Sequence, residues 1–98
     1  MELQFLVNEV REEATKKHGR TFSSRSQAYA DILEEYEECF DELQNIEGFL
    51  KKVWNGKRND NIDLRDIESI KKHALLLVEE ALQVAGLCDK YFESFKEG

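Results

Sequence analysis

Ala74-Leu75-Leu76-Leu77-Val78-Glu79-Glu80-Ala81-Leu82-Gln83-Val84-Ala85-Gly86-Leu87-Cys88 is the stretch whose reading decides the fold. Ala74, Leu77, Ala81, Val84 and Cys88 recur at steps of three and four, which places their side chains on one face of an α-helix. Leu75, Leu76, Leu82 and Leu87 add apolar surface off that stripe. A helix apolar nearly all round is buried nearly all round. The longest apolar run, Ala74 to Val78, is too short to span a bilayer. The stripe extends back through Ile70 and Ile67 to Asp63, a residue suited to an N-cap, and forward through Tyr91 and Phe95. A helix from Leu64 to about Lys96 is therefore predicted.

Working outward, Gly56 to Asn61 reads as a turn-rich connection. Before it, Tyr29, Ile32, Tyr36, Cys39, Leu43, Ile46, Leu50 and Val53 keep the same steps, and Leu33, Phe40 and Trp54 widen the stripe. Ser24 and Gln27 fit a capping box, so a second helix is predicted from Ser24 to Asn55-Gly56. The seven-residue repeat favours nearly parallel helix axes. A first helix is predicted from about Glu2 to Lys17, with Leu3, Leu6, Val7, Val10 and Ala14 on its apolar stripe. Lys16, Lys17 and His18 suit its carboxyl end, and Gly19 suits a left-handed stop.

The expected architecture is all-α: a single domain over 1–98, with three helices of which the two long ones are antiparallel. Three helices cannot cover the apolar surface of the last one within a single chain. A homodimer or homotetramer that completes a helical bundle is therefore expected.

Composition narrows the partners. The chain has no proline, 36% charged and 41% apolar residues, and a net charge of −7. That balance excludes a disordered chain. It also argues against binding to DNA, RNA or an anionic membrane, either of which would repel it. Met1-Glu2-Leu3-Gln4 lacks the basic start of a secretion signal, so a cytoplasmic location is expected. Cys39 and Cys88 fall on apolar stripes and read as reduced core thiols. No P-loop, Rossmann glycine pattern, zinc spacing or paired nucleophile is present.

Two groups of polar residues could carry chemistry. The second helix holds six carboxylates within the nine residues Glu34 to Glu42. Glu35 and Glu38 lie three apart and share a face, as do Glu34 and Glu38. Like charges this close oppose each other unless a cation sits between them, and such hard oxygens suit Mg²⁺ or Mn²⁺. A solvated acidic face is the alternative. In the third helix, Glu79, Glu80 and Gln83 interrupt the most apolar segment, where an unpaired carboxylate is costly. Pairing with Lys or Arg of a neighbouring chain is the alternative there. Gly86, one turn on, allows close approach of a helix or ligand.

The pattern EExxE at Glu34, Glu35 and Glu38, followed by Exx-polar at Glu80 and Gln83, resembles the MazG-like all-α nucleoside triphosphate pyrophosphohydrolases. Ala28 to Glu35 and Glu79 to Ala85 also look like small MazG-like proteins of bacteria and phages. The resemblance implies a helical bundle built from dimers or tetramers. It implies a magnesium cofactor held by Glu35, Glu38 and Glu80, and a nucleotide held beside Glu79 and Gln83. In that family magnesium grips the phosphates while water cleaves between the α and β phosphates. The family's second motif is ExxD, and this chain has Gln83 in place of the aspartate, so the site loses one negative charge. Three functions are therefore carried forward: a Mg²⁺-dependent nucleotide pyrophosphohydrolase, a relative that binds or sequesters a nucleotide without cleaving it, and a structural helical adaptor.

Overall fold

The computed structural model describes residues 2–96, which form three helices, α1 (Leu3–His18), α2 (Arg25–Arg58) and α3 (Leu64–Ser94). No helix among them is long and apolar enough to cross a membrane. α1 stops where expected: Gly19 has φ 82° and its amide donates to the Thr15 carbonyl at 3.0 Å. At the start of α2 the Ser24 hydroxyl accepts from the Gln27 amide at 3.1 Å. The return bond differs from a simple capping box, because the Gln27 Oε1 accepts from the amide and hydroxyl of Ser23 instead of Ser24.

α2 runs through Gly56 to Arg58, about 51 Å at 1.5 Å per residue, and so ends two residues beyond the expected stop. Gly56 serves the return of the chain. A Cβ there would meet the Asn61 carbonyl oxygen at 2.6 Å, and the Asn61 amide donates to the Gly56 carbonyl. Asp60 takes φ 53° in that turn. Asp63 then caps α3, its carboxylate accepting from the Arg65 amide at 2.9 Å. The short connection lays α3 antiparallel along α2, and α1 packs against α3.

Polar contacts fix α1 and its following loop to the end of α3. Gln4 donates to Asp89 at 2.9 Å, Arg11 and Arg20 both bind Glu93, and the Phe22 amide donates to the Ser94 hydroxyl. Phe22 is buried, with the Lys90 ammonium 4.5 Å from its ring centre. Gly86 is also buried, and it brings the Arg11 stem close to the α3 backbone.

The stripe that α2 turns toward α3 shares Ile32, Cys39, Ile46 and Val53 with the expected one, but its other members lie one residue earlier than expected. Ala28, Ile32, Glu35, Cys39, Glu42, Ile46, Phe49 and Val53 are buried or half-buried. Tyr29, Leu33, Tyr36, Phe40, Leu43, Leu50 and Trp54 are exposed. The reason is that α2 carries two adjacent seams with the same 3.5-residue repeat, and only the inner one meets α3. On α3, Ile67, Leu75, Val78 and Ala81 are likewise exposed, so this helix is not covered all round within one chain. Leu3 and Leu6 of α1 also face solvent. Every fully buried residue among those described (Val7, Phe22, Ala28 and Gly86) belongs to the end where α1 sits or to the first turn of α2. The molecule is long, 62 × 26 × 22 Å. Its radius of gyration is 17.6 Å, against about 13 Å for a compact chain of this length.

Candidate functional site

Three carboxylates meet midway along the α2–α3 pair. Glu35 and Glu38 come from one face of α2, Glu80 comes from α3, and one oxygen of each lies within 4.8 Å of the others. Glu35 and Glu80 are half-buried and Glu38 is exposed. These are the three residues expected to gather a cation.

The electrostatics follow from that crowding. Burial pushes the Glu35 carboxyl above the ordinary glutamate value; the hydrogen bond with Glu80 opposes the rise, and Glu38 and Glu34 add to it. The hydrogen bond with Glu80 raises Glu38, with burial second. For Glu80 the bond with Glu38 lowers the value, but the bond with Glu35, burial and the charges of Glu35 and Glu42 outweigh it. Burial and crowding thus favour the protonated form of each of the three groups relative to an ordinary glutamate. Cys39, beside them, has its thiol raised by burial and then by the charges of Glu80, Glu35 and Glu38. A thiol kept protonated in this way is a poor nucleophile.

The donor set fits a hard dication. Around one octahedral magnesium ion adjacent oxygens stand about 3.0 Å apart and opposite ones about 4.2 Å, so three oxygens within 4.8 Å of one another must draw together to share it. The Glu35 Oε2 is enclosed, and no amide, hydroxyl or cationic group among the described residues donates to it. An enclosed carboxylate oxygen without such a donor is costly, and a cation would satisfy it.

A cleft of about 670 Å³ adjoins this cluster, between α1 on one side and α2 with α3 on the other. Glu34, Glu35, Glu79 and Gln83 line it, so the expected ligand-side pair opens onto the same space as one carboxylate of the cluster. Glu79 is exposed and not buried as its apolar neighbourhood suggested, because it lies on the solvent side of α3; Gln83 is half-buried. The cleft is also lined by Arg11, Lys17, His18 and Lys90. The residues Lys17 and His18 read from sequence as helix-end charge alone. The close seat of α1 at Gly86 brings them opposite the acids, and only that long-range contact could have revealed it.

Other polar residues are structural. His73 Nδ1 lies 2.6 Å from Glu42 Oε2 and its ring stacks on Phe49, so this histidine is a satisfied interface residue. Asp89 is taken up by Gln4. Cys39 and Cys88 are free and half-buried. Comparison of the chain with protein-family models, curated proteins and solved structures finds no match.

Proposed function

We propose that this protein binds a nucleotide through a divalent cation held by Glu35, Glu38 and Glu80, in the manner of the MazG-like pyrophosphohydrolases it resembles, with hydrolysis weak or absent. The observation that supports this most directly is the meeting of three carboxylates from two helices at the edge of a cleft of about 670 Å³. Small-molecule sites have volumes of roughly 300–1,000 Å³, and a nucleotide falls within that range.

When bound, Mg²⁺ or Mn²⁺ supplies the positive charge that screens the phosphates. Glu35 belongs to both the cluster and the cleft wall, so it links the cation to the ligand. Lys17 and Lys90 line the cleft and attract phosphate oxygens. Glu79 stands at the rim, where its carboxylate can accept from a sugar or base. Gln83 can donate a hydrogen bond to a phosphate oxygen or base edge, which an ionised aspartate cannot. As a neutral amide it is a poorer partner for a hard cation than the aspartate of ExxD. The residue thus favours holding a nucleotide over cleaving it. The chain acts as an oligomer of identical copies, and its net charge of −7 disfavours DNA and RNA as ligands.

The test is pyrophosphate release from nucleoside triphosphates at saturating Mg²⁺, with wild type and Gln83→Asp side by side. The expected result is little or no release by wild type and more by the variant. Robust wild-type turnover that falls in Gln83→Asp would overturn the role given to Gln83.

A further inference from the structure

No part of α1 or α3 covers the outer stripe of α2 from Tyr29 to Trp54. Its positions follow steps of four and three without interruption, and Glu47 is the one acid among them. The apolar members are 36% to 69% exposed. A sustained 3.5-residue seam of this kind is what one helix presents to another in a coiled coil. We propose that a second copy of this chain covers it, with the two α2 helices packed antiparallel. The proposal rests on the self-association stated above and adds the face and the direction.

Area supports a partner of this size. A compact chain of 11.5 kDa exposes about 5,800 Å², whereas this one exposes 7627 Å². The excess is on the order of what one subunit buries in an obligate dimer. The absence of any fully buried side chain along the described hairpin from Tyr29 to Ala85 points the same way.

Charge sets the direction. From Asp31 to Glu42, α2 carries seven carboxylates and no basic residue; from Lys51 to Arg58 it carries four basic residues and no acid. Parallel pairing would set acidic half against acidic half, a like-charge contact that disfavours that arrangement. Antiparallel pairing brings Lys51 and Lys52 toward the acidic half of the other copy. One register matches every seam position: Phe40 faces Leu43 of the second copy, Leu33 faces Leu50, and Tyr29 faces Trp54. In that register Glu47, already bound to Lys51 at 3.1 Å, meets a Tyr36 phenol able to donate to it.

The test combines light scattering with helical circular dichroism on the full chain at tens of micromolar. Wild type is expected at twice the 11.5 kDa chain mass or a multiple of that. Phe40→Glu and Leu43→Lys, each at an exposed site, should keep their helical signal and halve the mass. The two changes combined in one chain should restore association, because antiparallel pairing sets position 40 against position 43. A monomeric wild type would overturn self-association itself. Wild-type-like assembly of both single variants would overturn the seam alone. A double variant that stays dissociated while helical would overturn the antiparallel register.

Discussion

A Cβ on Gly86 would lie 3.1 Å from the Cγ of Arg11, whose guanidinium is tied to Glu93 at 2.6 Å. The stem of Arg11 is therefore pinned at both ends, against the α3 backbone and by the ion pair. This contact seats α1 and so forms one wall of the cleft. Gly86→Val should destabilise the protein by about 1–3 kcal/mol through overpacking. Amide exchange should quicken over α1 more than over α2. Unchanged protection in α1 would show that its seat does not depend on this close approach.

Glu93 tests the same attachment by charge. The hydrogen bond from Arg11, followed by that from Arg20, holds its carboxyl below the ordinary glutamate value of 4.5. A depressed carboxyl adds stability above its unfolded value and loses it as pH falls through the folded one. Wild type should therefore exceed Glu93→Gln in stability at pH 7, with the gap closing as pH drops below about 4.5. Urea unfolding of both proteins across that range reads the difference.

The carboxylate cluster has the opposite sign. Glu35, Glu38 and Glu80 are all raised above 4.5, so the folded state holds more protons than the unfolded chain just above that pH. Stability of the cation-free protein should then fall as pH rises through the folded values. Glu38→Gln should flatten the fall and leave the cation-free protein more stable at pH 7. Mg²⁺ should stabilise wild type more than the variant, and a chelator should reverse the effect. Thermal melts at several pH values with and without Mg²⁺ would check this. A steeper fall in Glu38→Gln would contradict this account of the cluster.

His73 and Glu42 form a partly buried pair, 19% and 18% exposed. Removing one partner leaves the other unsatisfied at a cost of about 1–3 kcal/mol. His73→Leu and Glu42→Leu should each destabilise by that order. The double substitution should cost clearly less than the two together, because it leaves no unpaired group. Additive losses in a double-mutant cycle would show that the pair is not coupled.

Helix existence and the site carboxylates were legible in the sequence for local reasons. Asp63, Ser24 and Gly19 are caps whose chemistry acts within one turn, and Glu35 with Glu38 share a face by spacing alone. Three features depended on the rest of the molecule. Gly56 looked like a helix stop, but its missing Cβ makes room for the Asn61 backbone while the helix continues. The two seams of α2 have the same period, so periodicity could not tell which one meets α3. The seat of α1 depends on Gly86, some 75 positions from Arg11 in the chain. Lys17 and His18 therefore carried no signal that they would line a cleft with Glu35.

The central claim is that Glu35, Glu38 and Glu80 hold a cation that a nucleotide needs. Calorimetric titration of a nucleoside triphosphate into wild type with Mg²⁺, into wild type with a chelator, and into Glu80→Gln with Mg²⁺ tests it most directly. Circular dichroism would verify that the variant remains helical. The account predicts measurable binding in the first case and a loss of at least about tenfold, roughly 1.4 kcal/mol, in the other two. Equal binding in all three, or none in any, would contradict it.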